Sequence, residues 1–134
     1  MLFGPEHVKR YRATDGEEGH DWQGTTALLL TTKGRQSGRE RETPLIYGVS
    51  GDEYVVVASR GGAPTHPAWY LNLSADPHVT VQVKGDRFLA LARTATSEEK
   101  QELWPLMVGQ WPAYDEYQAK TDREIPLVLL SRAS

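Results

Sequence analysis

Between Lys33 and Glu42 the chain gathers Lys33, Arg35, Arg39 and Arg41 against Glu40 and Glu42. That is four minus two, or +2, inside a chain whose net charge is −3. Arginine forks match phosphate oxygens two at a time, and glycines such as Gly34 and Gly38 let backbone N–H groups approach the same anion. The hydroxyls of Thr32 and Ser37 are further donors. The stretch from Thr31 to Arg41 therefore reads as an anion-binding loop for a phosphate-bearing ligand. A solvated hairpin loop accounts for the same spacing equally well. No GK[ST] follows and no G-x-G-x-x-G is present, so this is neither a Walker loop nor a dinucleotide fingerprint.

Other chemistries find little support. The chain has no cysteine, which removes disulfides, thiolate metal sites, iron–sulfur clusters and cysteine nucleophiles together. His20, His66 and His78 stand at no ligand spacing, and no metal site is expected. Ser59, His66 and an aspartate lack the G-x-S-x-G elbow of a hydrolase. A pI of about 5.8 gives no global field for nucleic acid. The apolar run Ala27–Leu30 is too short to cross a bilayer, and the N-terminus lacks a secretory core. A cytoplasmic protein is expected, with peripheral membrane contact left open.

These residues must be positioned by a small scaffold, and 134 residues fit one domain, 1–134, with residues 1–24 as an N-terminal helix and loop arm. A short helix is expected over Glu6–Ala13, then the loop DGEEGHDWQG, in which Trp22 closes the barrel and is assigned no chemistry. Thr25–Thr32 is β-branched and apolar, a strand, and Gly34–Gly38 is turn chemistry. Thr43–Val49 and Glu53–Ser59 form a hairpin around Ser50-Gly51-Asp52. Tyr54–Ala58 is apolar on both faces and belongs at the centre of the core. Pro67 suits the first residue of a helix running to about Leu73.

Val79–Val83 and Arg87–Thr94 form a second hairpin around Gly85-Asp86. Thr96-Ser97-Glu98-Glu99 is a helix start with a hydroxyl cap and acids in the first turn. That helix should reach about Val108, a shorter one should follow near Ala113–Lys120, and Pro126–Ser131 is a last strand. The pattern is mainly β within an α+β class: a small antiparallel barrel of about six strands with peripheral short helices, rather than alternating βαβ units.

Taken in order, LLLTTKGRQSGRERETPLIY, VVVASRGGAPTHPAWYLNLSADPHVTVQV and WPAYDEYQAKTDREIPLVLL resemble the deazaflavin-dependent nitroreductases of actinobacteria, split-β-barrel proteins that use coenzyme F-420. The likeness covers roughly Val8 to Leu130 and rests on G-R-x-S-G-x-x-R, A-S-[KR]-G-G and P-x-W-Y-x-N-L. It implies that Arg35, Gln36, Ser37 and Arg41 grip the phosphate and acidic tail of the cofactor. Glu42, Thr43, Pro44, Leu45 and Ile46 would pass beside the ring or its ribityl chain. Val57, Ala58, Ser59 and Arg60 would lie along the deazaflavin. Ala68, Trp69, Tyr70, Leu71 and Asn72 would cover its other side. Tyr114 would sit at both cofactor and substrate, and Tyr117 and Trp111 would line the substrate pocket. Members often carry lysine where Gln36 stands, and some carry tyrosine at Ile46 and Trp111.

The activity this resemblance implies is hydride transfer from reduced F-420 to an electrophilic acceptor: a nitroaromatic, a quinone or an activated enone. The reactive carbon belongs to the cofactor; the protein supplies position, dryness and a hydrogen-bond donor. Tyr114 and Ser59 are the candidates for donating to the acceptor as it becomes anionic, and Trp111, Tyr117 and Trp69 for aromatic walls. Packing of an amphipathic helix on the barrel is the alternative role for Tyr114, and a turn for Ser59. Two other readings use the same barrel: a non-catalytic F-420 carrier, and a reductase that binds FMN. A homodimer is left open.

Overall fold

The computed structural model describes residues 2–133. The chain begins with α1 (Gly4–Ala13), then β1 (Asp21–Trp22), β2 (Thr25–Lys33), β3 (Glu40–Ile46), β4 (Gly48–Ser50) and β5 (Glu53–Val57). A short 3-10 turn over Arg60–Gly62 leads to α2 (Ala68–Ala75), β6 (His78–Val83) and β7 (Asp86–Thr94). Last come α3 (Ser97–Gln110), α4 (Ala113–Ala119) and β8 (Leu127–Arg132). Every strand pairing is antiparallel. The neighbours run β1-β2-β6-β7-β8-β5-β4, with β3 also paired to β2.

The expected strand Thr43–Val49 is broken at Tyr47, because it changes partner there. Up to Ile46 it pairs with β2, in register Ala27 to Ile46. From Gly48 it pairs with β5, in register Gly48 to Val55. This bent strand joins the two ends of the sheet, so six runs of chain close a small barrel. At the bend the Tyr47 ring turns inward against Tyr54, centroids 5.5 Å apart and edge to face. Its hydroxyl meets His20 Nε2 at 2.7 Å. The other His20 nitrogen lies 2.9 Å from Asp21 Oδ1, so the carboxylate accepts from Nδ1–H and the phenol donates to Nε2.

Tyr54–Ala58 lies at the centre of the core, as its two-sided pattern implies. Val56 and Ala58 face the barrel interior with Leu28, Leu30, Val81, Phe88 and Leu130. Val55 and Val57 face the other way, onto Met107, Tyr114, Ile125 and Leu129 beneath α3 and α4. Helix α3 begins with a full capping box: Glu99 N–H donates to Thr96 Oγ1 at 3.2 Å and Thr96 N–H to Glu99 Oε1 at 2.9 Å. It outlasts the expected end at Val108 and carries Pro105 inside. The missing N–H costs least there, since Pro105 and Gln101 are both exposed.

Other boundaries differ from the sequence reading: α1 starts at Gly4 and not Glu6, and β3 at Glu40 and not Thr43, so Arg41 stands in a strand. Pro67 caps α2 from outside, and the helix runs past Leu73 to Ala75. The second hairpin turns on Lys84-Gly85, with Asp86 already paired to Val83. Lys84 accepts a left-handed φ of 54°, held by a 2.7 Å bond from its N–H to the Tyr11 hydroxyl. Gly16 packs so closely there that a Cβ would fall 2.7 Å from Lys84 Cα. The arm is thereby fastened to the barrel through Tyr11 and His20.

Candidate functional site

Two adjoining clefts lie along β3. The larger, of about 1120 Å³, is lined by α1, the loop after β2, β3 and the start of α2. The smaller, of about 350 Å³, lies between β3, the end of β5, the 60–67 loop, α4 and the N-terminal arm. Gly4, Pro44 and Trp69 line both, so the two adjoin across these residues.

The large cleft is the cationic end. Its loop is closed by Gly34 N–H to Arg39 O and Gly38 N–H to Gly34 O, each 2.8 Å. Arg39 N–H also donates to Ser37 Oγ at 3.2 Å. Buried Asn72 sets the aim of Arg35: its Oδ1 accepts from the Arg35 backbone N–H at 3.2 Å and from the guanidinium at 2.9 Å. Asn72 Nδ2 in turn donates to Thr32 Oγ1 at 3.3 Å. Thr32 accepts this bond, is buried and lines neither cleft, so its place is behind the cavity wall. Arg35, Gln36, Ser37, Arg41, Glu42, Thr43, Pro44, Ala68, Trp69 and Asn72 all line this cleft, whereas Lys33 and Arg39 do not. Arg41 is exposed and has no ionic partner among the described residues.

The small cleft is the aromatic end. Leu45, Ile46, Val57, Ser59, Arg60, Trp69, Trp111, Tyr114 and Tyr117 line it. Trp111 Nε1 donates to the Tyr117 hydroxyl at 3.3 Å, which fixes that wall. Tyr114 is 5% exposed, packed between Trp104 and Tyr117 at 6.3 and 6.0 Å. Its hydroxyl has no hydrogen-bond partner among the described residues. Burial first, then Tyr117, pushes its pKa well above the ordinary phenol value, so it is an O–H donor at neutral pH. Three of the implied contacts fall outside both clefts. Ala58 is enclosed in the core, Tyr70 turns away to Thr94 with its hydroxyl at 2.8 Å, and Leu71 lines neither cavity.

Three contributors escaped the sequence reading. The face of α1 bearing Pro5, Val8, Lys9, Arg12 and Ala13 lines the cationic cleft. These positions fall at i, i+3, i+4, i+7 and i+8, one side of a helix, while His7 and Tyr11 on another side are buried. That periodicity was available in the sequence. Trp22, given only a covering role, lines the aromatic cleft with Phe3 and His7. It lies 5.7 Å from Trp111 and stacks on His7 at 5.9 Å.

The third is Arg123, which no local pattern marks. Its guanidinium donates to Ala63 O at 3.0 Å, Ala58 O at 3.1 Å and Ser59 O at 2.7 Å, and meets His66 Nδ1 at 2.9 Å. It holds the whole 58–66 loop against the small cleft. Burial and the charge of Arg123 lower the His66 pKa, so the neutral ring accepts this bond at Nδ1.

Known proteins agree with this architecture. The chain matches the family model described as F420H(2)-dependent quinone reductase over residues 4–132. An F420H(2)-dependent quinone reductase of Mycobacterium tuberculosis is 38% identical over 130 residues, 94% of this chain and 87% of the relative. A solved F420-H2 dependent reductase (FDR-A) superimposes with a TM-score of 0.73 at 42% identity, over 78% of this chain and 93% of that one. A structure described as a domain-swapped dimer gives 0.75 at 36%, over 96% and 100%. The heme storage protein HutZ of Vibrio cholerae shares the fold alone, at 19% identity, a TM-score of 0.66 and coverage of 100% and 92%. A split barrel of this kind, matched nearly end to end, places the chain: it belongs to the F420H(2)-dependent quinone reductase family.

Proposed function

We propose that the two adjoining clefts together hold coenzyme F-420, with its phosphate and acidic tail at the cationic end and its ring at the aromatic end, beside a quinone. The chain is an F420H(2)-dependent oxidoreductase by family; the assignment of residues to roles is the proposal. The observation that carries it is the joining of a cation-lined cavity to an aromatic one across Pro44 and Trp69. A flat ring with an anionic tail needs that pairing of surfaces.

The donor set fits the group. Arg35, aimed by Asn72, and the unpaired Arg41 suit phosphate oxygens. Pro44, Leu45, Ile46 and Val57 give the ring an apolar bed, with Ser59 and Arg60 at its edge. When bound, the reduced deazaflavin supplies a low-potential hydride. Trp22, Trp111 and Tyr117 position a flat acceptor and exclude water from it. The protonated Tyr114 hydroxyl donates to the acceptor oxygen as it gains negative charge, a contribution of about 3 kcal/mol where the oxygen is well placed. Ser59 is the second donor in this reading.

Titration of the purified protein with F-420, followed by the cofactor's fluorescence, and in parallel with FMN, tests the assignment. Saturable F-420 binding with weak FMN binding supports it, and no F-420 binding at tens of micromolar overturns it. Oxidation of reduced F-420 by a soluble quinone then separates a reductase from a carrier, which would bind and not turn over. Nitroaromatics and activated enones extend the same assay to the acceptor range. A cytoplasmic location and a homodimer through the exposed Leu89 and Leu91 of β7 belong to the same proposal, the second checked by sedimentation.

A further inference from the structure

The cationic cleft has two walls, and the loop after β2 is only one of them. The opposite wall is α1, whose Lys9 and Arg12 line the same cavity as Arg35 and Arg41. These two basic residues do different things. Lys9 is exposed and has no hydrogen-bond or ionic partner among the described residues. Arg12 reaches across to β3, where its Nη1 donates to Glu42 Oε1 at 2.7 Å. Its Nε is buried without a partner.

Glu40 and Glu42 are the two carboxylates that line this cavity, and each repels an anion placed in it. With the ion pair, Glu42 is neutralised from across the cleft. Lys9, Arg12, Arg35 and Arg41 then stand against Glu40 and Glu42, four minus two, for a local charge of +2. Without α1 the balance would be Arg35 and Arg41 against the same two glutamates, or zero. The net positive charge of this cleft therefore comes from the helix, while Arg35 and Arg41 balance the two glutamates.

We infer that α1 is a clamp for the acidic tail of the cofactor. Lys9 pairs directly with a tail carboxylate, and Arg12 removes the opposition of Glu42. The cleft thereby selects a deazaflavin with a long anionic tail over a flavin without one. This inference rests on F-420 occupying the cleft, and it adds the α1 wall and a dependence on tail length that neither the loop motif nor the family name contains.

The test is a set of fluorescence titrations on the full chain with three probes: F-420 with a long glutamyl tail, F-420 with a short one, and the tail-less deazaflavin riboside. The wild type should bind in that order, with a preference that shrinks as salt screens the charges. Lys9→Ala should weaken the long-tailed form about fivefold and leave the riboside unchanged. Arg12→Ala should act in the same direction, and adding Glu42→Gln should restore most of the lost affinity, because the repelling carboxylate is then gone. Equal weakening of all three probes in both variants would mean that α1 only supports the fold, and would overturn the inference. So would wild-type affinities that ignore tail length. If the wild type bound none of the probes, the cofactor reading would fall, and the clamp with it. Lys9 is solvent-exposed, so its variant retains the fold and decides the matter even if Arg12→Ala is unstable.

Discussion

At the scale of single residues, the proposed assignment separates groups that would touch a ligand from groups that aim them. It puts Tyr114 and Arg41, which line the two clefts, in the first class. Tyr114 is buried, protonated and without a protein partner for its hydroxyl among the described residues. Tyr114→Phe should lower kcat with a soluble quinone by about 100- to 1000-fold, the worth of one well-aimed donor, and hardly change F-420 affinity. Unchanged turnover would return Tyr114 to a packing role. Arg41→Ala should weaken F-420 binding by about tenfold while thermal stability stays within about 0.5 kcal/mol, because the side chain is exposed and unpaired. A collapse in stability would make that arginine structural. Gln36, where a lysine would have added charge, lies in the cleft beside Arg35. On the proposed clamp, Lys9 and Arg12 of α1 offset that absence from the opposite wall.

At the scale of elements, the site depends on how loops are fastened. The A-S-R-G-G run was readable as a motif, but nothing in it says what holds it in shape. Arg60 and Gly61 both take left-handed φ, 47° and 62°, a costly conformation for Arg60 that the neighbouring contacts must maintain. Arg123 provides them from the loop before β8. Arg123→Ala should cost on the order of 2 kcal/mol in denaturant unfolding, since three backbone carbonyls lose a charged donor. It should also weaken binding of the tail-less riboside, which Arg41→Ala should not. Loss of stability with riboside binding intact would show that the loop shape does not reach the ring. The chain fold itself was legible to the level of its hairpins and its helix cap. The break at Tyr47 was not, because it follows from a change of strand partner and not from any turn residue.

At the scale of the whole molecule, the barrel is sealed by buried phenols that couple stability to alkaline pH. Burial pushes Tyr11 up to about 12, with partial relief from its bond to Lys84. Burial likewise raises Tyr47 and Tyr114. A group whose folded pKa is raised contributes stability that is intact below the unfolded value and lost above it. Urea midpoints should therefore be flat for these groups up to about pH 10 and fall beyond it, by on the order of 1 kcal/mol per buried phenol at pH 11. Tyr11→Phe should flatten part of that fall while lowering stability at neutral pH through its lost bonds to Gln82 O and Lys84 N–H. A midpoint insensitive to pH up to 11 would show the phenols to be accessible to solvent.

The sequence by itself determined the antiparallel barrel, and it nominated the basic glycine loop and the aromatic residues Trp111, Tyr114 and Tyr117 as candidates. Each of these is written in local terms: alternation along strands, glycine and arginine spacing in a turn, and ordered motifs along one stretch of chain. Only the tertiary structure decided which of them face one cavity. It brought α1 and Trp22 into the site, took Tyr70 and Leu71 out of it, and assigned Arg123 to a loop about 60 residues away in the chain. The physical reason is that a pocket is made where surfaces from distant segments meet. Periodicity shows which side of a helix is polar, but not what lies across the gap.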